Sequence, residues 1–268
     1  MAELVVDDLV VTFGHGDSSF NAVDGVSLTV PHGSIVGLVG ESGSGKYTIA
    51  RVIAGLQPTT AGRLLLDGEE LRPATGRRRL ARARDVQMIF QDPYSSLNPR
   101  MTIGATLDEA LALHGGGGAK ARAESVKELL RLVRLKPGTV DQYPSQLSGG
   151  MRQRVAIARC LAVKPRLIIA DEITSALDAS VQGAVLNLVR DLQVELELSV
   201  LFITHNLAAV RYIADTTAVM RKGRIVEHGD ADAIVSNPQH AYTQALVAAI
   251  PRIQNAGTDH LLHTIGSR

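Results

Sequence analysis

Three short clusters in this chain combine residue types that packing alone does not call for. The first is GESGSGKYT, Gly40 to Thr48, where glycines and small polar residues lead up to Lys46. Glycines at this spacing let successive backbone N–H groups converge on an oxyanion, a helix start adds partial positive charge, and a lysine supplies a full one. The stretch follows the apolar run SIVGLVG and opens into YTIARVIAGL, so strand, loop and helix succeed one another as a phosphate cradle requires. Gly40, Ser42, Gly43, Ser44, Gly45, Lys46, Tyr47 and Thr48 are the candidate contacts of this loop. An ordinary glycine turn is the competing reading, and the strand-loop-helix context weighs against it. Tyr47 is out of pattern. The residue after such a lysine normally offers a compact hydroxyl to Mg²⁺, and a tyrosine hydroxyl stands too far from its own backbone to do so. Thr48 keeps a small hydroxyl, but one step along a helix turns it by about 100°.

The second cluster is RLIIADE, Arg166 to Glu172, an apolar strand ending in two acids. Carboxylates at that place serve no packing purpose and suffer desolvation unless a cation is near. Asp171 is suited to hold Mg²⁺ and Glu172 to orient or deprotonate a water; capping of the following turn is the bland alternative. One strand further, SVLFITHN puts His205 at a strand end, within reach of a terminal phosphate, although a lone histidine is more often structural. The third cluster, QLSGGMRQRVAIARCL, sets Ser148, Gly149 and Gly150 ahead of a helix, which makes either a second anion site of N–H groups or a plain serine cap.

These clusters need a scaffold. SIVGLVG, RLIIAD and SVLFIT are continuous in apolar residues, as strands buried on both faces are, and they alternate with helical patterns. Between Asp178 and Leu192, Val181, Val185, Leu188 and Leu192 recur at helical spacing. The sequence therefore predicts an α/β fold with a mainly parallel sheet. Leu4 to Val30 and RLLLDGEEL read as an antiparallel β layer attached to it. Met101 to Leu135 reads as helical, interrupted at Gly115 to Gly118, and forms a helical lobe inserted between two sheet strands.

Composition bounds the rest. The 268 residues are 45% hydrophobic and 21% charged, enough for a sizeable core. Twenty-eight Lys plus Arg balance 27 Asp plus Glu, so the net charge of +1 gives no reason to expect nucleic acid or an acidic membrane as partner. The run Arg77 to Arg79 reads as a solvated helix face. Cys160 is the single cysteine, which excludes an internal disulfide and reads as a small buried hydrophobe. The N-terminus lacks the pattern of a signal peptide, and no apolar run reaches the roughly 20 residues of a membrane span. Work at a membrane would need another chain to span it.

Taken together, GESGSGK, LSGGMRQR, RLIIADE and TSALD resemble the motifs of ATP-binding cassette (ABC) transporter ATPase subunits, over essentially the whole chain to about residue 250. The resemblance implies an α/β P-loop ATPase core over residues 1–250, with an antiparallel β layer, a helical subdomain at about 93–154, and a tail at 251–268. It implies ATP and Mg²⁺ as ligands. In that family two cassettes dimerise head to tail, each ATP lying between the phosphate loop of one and the LSGG of the other, which accounts for two anion sites in one chain. On that mapping Glu172 and His205 are the catalytic pair, Gln91 and Asp171 attend the metal, and Phe13 stacks on adenine with Phe20 as the alternative. Ser148, Gly149 and Gly150 serve the neighbour's nucleotide, and Asp178 ends the loop that crosses the interface. The implied partners are a second ATPase subunit in a heterodimer, two transmembrane permease subunits and, indirectly, an extracytoplasmic solute-binding protein, at the cytoplasmic face of the cell membrane.

Two further segments, IFQDPYSSLNPRMTI and NPQHAYTQAL, resemble the oligopeptide, dipeptide and nickel importers of that family. The final segment IPRIQNAGTDHLLHTIGSR has no cysteine, so an iron–sulfur site is not expected there. Three departures from the family pattern stand out: Tyr47 for serine, Ile173 for proline and Asn206 for aspartate. Two functions follow as expectations. One is an ATP-hydrolysing subunit that drives import. The other is a nucleotide-binding regulatory subunit whose own site is degenerate at Tyr47 and Ile173 and whose LSGG completes the partner's site.

Overall fold

A computed structural model describes residues 3–71, 76–92, 96–113, 115 and 117–249. Gly116, the side chains of Arg77 to Arg79, the expected start of the helical lobe at Pro93 and the tail at 251–268 lie outside the described residues.

Strands β1 (Leu4–Phe13) and β2 (Phe20–Val30) open the chain as an antiparallel pair. Strand β3 (Ile35–Val39) runs into the phosphate loop, from which helix α1 (Lys46–Ile53) emerges. The chain returns to the antiparallel layer in β4 (Ala61–Leu66) and β5 (Glu69–Glu70). Helix α2 (Gly76–Asp85) and strand β6 (Val86–Ile89) follow. Among the described residues, the α-helices α3 (Ile103–Leu113), α4 (Ala119–Leu132) and α5 (Gly149–Leu161) come before β7 (Leu167–Asp171). The remaining elements are α6 (Ala179–Leu196), β8 (Ser199–Thr204), α7 (Leu207–Ile213), β9 (Thr216–Arg221), β10 (Arg224–Asp230), α8 (Ala231–Ser236) and α9 (Ala241–Ala248).

Among the described residues the strands form two sheets, one in the order β2-β1-β4-β5 and one in the order β10-β9-β3-β8-β7-β6. The second is parallel apart from its edge strand β10. Strands β3, β7 and β8 are buried along their whole length, which is why they read as unbroken apolar runs. Their residues alternate between two cores. Val36, Leu38, Ile169, Leu201 and Ile203 face the antiparallel layer, with Ile49, Val52 and Ile53 of α1 packed between the sheets. Ile35, Val39, Ile168, Val200 and Phe202 face the other way, against Val185, Leu188 and Leu192 of α6 and the intervening helices. Each of these large apolar side chains contributes about 1.5–3 kcal/mol on burial.

The register aligns the strand ends. Val39 pairs with Thr204 on one side and Val219 on the other, while Asp171 pairs with Ile203. Gly40, Glu172 and His205 therefore leave the sheet at the same carboxyl edge, where open α/β sheets bind their ligands. Between β6 and β7, α3 and α4 are separated by the Gly115 to Gly118 stretch, in which Gly115 and Gly117 have φ of +81° and +78°. Residue 154 falls inside α5, which runs on to Leu161 and packs against β6 and α6, so the chain does not break there. Cys160 is buried, and burial pushes its thiol up to about 12, in keeping with a packing role. No described helix is long and apolar enough to cross a membrane.

Candidate active site

The phosphate loop is held both by neighbouring strands and by the side chain of its own Lys46. Gly45 caps α1 at φ +107°, and a Cβ there would collide with the carbonyl oxygen of Ala22 on β2, so only glycine fits. The Ser44 carbonyl accepts a hydrogen bond from Gly223 N–H at 2.9 Å, and Ser44 N–H donates to Glu41 O at 3.2 Å. Lys46 is 6% exposed and folds back over the loop, its Nζ donating to Gly40 O at 2.7 Å and Glu41 O at 2.8 Å. Burial lowers its pKa, and the charges of Glu172, Asp171 and Glu41 oppose that shift. With Gly45 as N-cap and no side-chain cap, the first N–H groups of α1 are left for an anion.

The acids stand opposite. Asp171, 7% exposed at the end of β7, has its carboxyl pushed up to about 6 by burial and by Glu172, against the pull of Lys46. Glu172 adopts φ +47° and its N–H donates to Ile203 O at 2.8 Å, which ties the turn after β7 to β8. Ile173, where the family has proline, is 1% exposed and anchors this turn in the core. The anchored turn aims Glu172 Oε1 at His205 Nδ1, 3.0 Å away. Gln91 Nε2 donates to Ser175 Oγ at 3.3 Å, and Ser175 Oγ donates to Glu172 O at 2.9 Å, so the loop after β6 is bonded to the same turn. Asn206 caps α7, its Oδ1 accepting from the N–H groups of Ala208 at 3.0 Å and Ala209 at 3.2 Å. An aspartate would cap in the same way, so this departure leaves the geometry of the turn intact.

Tyr47 points its ring along α1. The ring is half exposed, Arg51 Nη1 donates to its hydroxyl at 3.3 Å, and the Arg51 guanidinium lies 5.5 Å from the ring centroid. Its hydroxyl thus accepts from Arg51. Among the described residues no three His, Cys, Asp or Glu side chains gather into a metal cage. A buried carboxylate with a raised pKa beside a phosphate loop nevertheless fits Mg²⁺, which is commonly held by one or two carboxylates and the phosphates of its nucleotide. Phe13 and Phe20 lie at one end of the cleft with ring centroids 6.0 Å apart and planes 30° apart. Both are at least partly exposed, so both are available to an aromatic ligand.

One cleft thus gathers Phe13, the loop from Gly40 to Thr48, Gln91, Asp171, Glu172 and His205. Ser148 and Gly150 lie instead in a second cleft, which shares no lining residue with the first. Ser148 caps α5 by accepting from Met151 N–H at 3.3 Å, and Asp178 caps α6 by accepting from Val181 N–H at 3.0 Å. A Cβ on Gly150 would collide with Val181, and one on Gly149 would press on Leu177, so the glycines let the two helix starts approach. Sequence reasoning missed Glu41, Phe90, Asp92 and Leu246, which also line the first cleft. Only their proximity in the fold reveals them, apart from Glu41, which lies inside the loop motif.

A parallel sheet whose carboxyl edge carries a phosphate loop, a buried aspartate and a glutamate–histidine pair defines a P-loop nucleotide hydrolase. Residues 23–175 match the family model described as ABC transporter, and residues 226–268 match the one described as oligopeptide/dipeptide transporter, C-terminal region. A putative peptide import ATP-binding protein of Brucella ovis is 46% identical over 234 residues, 87% of this chain and 74% of that protein. The oligopeptide transport ATP-binding protein OppF of Lactococcus lactis subsp. lactis is 48% identical over 232 residues, covering 87% and 73% of the two chains. Among solved structures, the dimeric, post-hydrolysis ATP-binding cassette MJ0796 bound to ADP and Pi superposes with a TM-score of 0.75 at 27% identity, covering 85% of this chain and 98% of that one. The chain belongs to the ABC transporter family and is an ATPase of that type.

Proposed function

We propose that this chain is the ATP-hydrolysing subunit of an importer for peptides. The observation that carries the reading is the bond between Glu172 and His205 in the same cleft as the Lys46 loop. Glu172 would take the proton of the attacking water, and His205 would hold that carboxylate in place and face the terminal phosphate. The backbone of Gly40 to Thr48 and Lys46 would bind the phosphates, and Phe13 would stack on adenine. Asp171 and Gln91 would hold Mg²⁺, with Tyr47 contributing nothing to it. The metal, when bound, supplies charge neutralisation between the phosphates. Ser148, Gly149, Gly150 and Asp178 would act on the nucleotide of a partner cassette, in keeping with their separation from this chain's own cleft.

The peptide class and the import direction rest on the match to the oligopeptide/dipeptide C-terminal region and on the names of the relatives. The same reading brings a second, different ATPase subunit, two transmembrane permease subunits and, through them, an extracytoplasmic solute-binding protein. It places the chain peripherally at the cytoplasmic face of the cell membrane, docked through the helical subdomain at about 93–154 of a 1–250 ATPase domain, with 251–268 as a tail. The comparisons lend no support to a degenerate own site. The test is reconstitution with the partner subunits in vesicles: ATP turnover rises when binding protein loaded with a short peptide is added. Turnover indifferent to every peptide, yet stimulated by another class of solute, would contradict the peptide assignment.

A further inference from the structure

Helix α9 lies within the segment that matches the oligopeptide/dipeptide C-terminal region, and it touches the phosphate loop. Tyr242, 7% exposed, accepts a hydrogen bond through its hydroxyl from the backbone N–H of Glu41 at 3.1 Å. The carbonyl of the same residue receives Lys46 Nζ at 2.8 Å, so Glu41 is gripped from both sides. One helical turn beyond Tyr242, Leu246 lines the nucleotide cleft itself. The tyrosine is in turn fixed. The Arg221 guanidinium lies 4.8 Å from its ring centroid, and α9 starts from a double anchor. His240 Nδ1 accepts from Tyr242 N–H at 3.1 Å, and the Glu227 carboxylate of β10 accepts from Gln239 N–H at 2.7 Å and His240 N–H at 3.1 Å.

We infer that Tyr242 is a positioning residue for the phosphate loop, and that through it the C-terminal helix forms part of the nucleotide site. The physical reason lies in the loop's composition. A glycine-rich segment has many conformations of similar energy, and its N–H groups bind phosphate well only if they are already directed inward. Lys46 restrains the loop from inside, but a nucleotide competes for that ammonium. Tyr242 bonds to an N–H at the loop's first turn, and its hydroxyl is not a group that phosphate needs. This restraint therefore persists when nucleotide binds. Because binding couplings are reciprocal, nucleotide binding must also tighten α9.

The inference rests on the nucleotide reading of the cleft, and the test separates the two. Tyr242→Phe keeps the ring and its contact with Arg221 and removes only the hydroxyl. In the full chain, well below the melting transition of both proteins, the Kd for ATP is expected to rise about threefold to tenfold, the range of one net hydrogen bond. The Glu41 amide is expected to exchange faster with solvent in the variant, and α9 amides are expected to exchange more slowly in the unsubstituted chain once ATP is bound. Equal ATP affinities in the two chains would overturn the inference, whatever happens to the melting temperature, because a purely structural hydroxyl would lower stability and leave Kd unchanged. An unsubstituted chain that failed to bind ATP would sink the nucleotide reading and this inference with it.

Discussion

Lys46→Ala is expected to reduce ATP affinity by at least about 100-fold, equivalent to about 2.8 kcal/mol, while the chain still folds. Lys46 Nζ is the buried positive charge of the loop, and it holds the Gly40 and Glu41 carbonyls on the cleft side. Its removal deletes charge-assisted bonds to phosphate, each contributing about 1.5–3 kcal/mol, and leaves Asp171 and Glu172 to repel the incoming anion. The two effects act in the same direction, so the loss exceeds that of a single hydrogen bond. Equilibrium binding of ATP to the full chain, with circular dichroism as a check of folding, measures it. An affinity within a few-fold of the unsubstituted chain would remove the loop from the binding account.

Glu172→Gln is expected to lower ATP turnover by about 10²–10⁴-fold, the usual range for loss of a positioned general base, with ATP binding preserved. The amide keeps the shape of the carboxylate and still offers an oxygen to His205, 3.0 Å away in the unsubstituted chain. What it loses is the capacity to take a proton from water. Lys46 and the loop glycines, which bind phosphate, are untouched. Phosphate release by the assembled transporter and ATP binding by the same preparation separate the two effects. A parallel fall in binding would mean that Glu172 supports the site's shape and not the chemical step.

The parts of this site that local backbone geometry dictates were legible in the sequence. Gly43, Gly45 and Lys46 announce a phosphate loop because that cradle is built from consecutive residues, and RLIIAD announces a strand because both its faces are buried. The buried stripe of α6 followed from the spacing of Val185, Leu188 and Leu192. The pairing of Glu172 with His205 was not legible from spacing, since it depends on the register of β7 beside β8. Nor did the sequence show which way the Tyr47 ring turns, because that is decided by Arg51 one helical turn on. Ile173, apolar by type, is buried in the core beside Glu172. Tyr242 lies 201 residues from Glu41, and no local pattern links a tyrosine near the end of a chain to a loop near its start. The resemblance to the C-terminal segment of peptide importers marked the region without giving its contacts.

On the proposed function, this chain's own cleft hydrolyses ATP although Tyr47 stands where a metal-binding hydroxyl is usual. The most direct measurement compares Mg²⁺-ATP hydrolysis by the assembled complex with the unsubstituted chain, with Tyr47→Ser and with Glu172→Gln. The account predicts that Glu172→Gln removes most of the turnover, and that Tyr47→Ser changes it by no more than a few-fold while lowering the Mg²⁺ concentration needed for half-maximal rate. Turnover unaffected by Glu172→Gln but raised by Tyr47→Ser would contradict the account and make this chain the nucleotide-holding half of a complex that hydrolyses elsewhere.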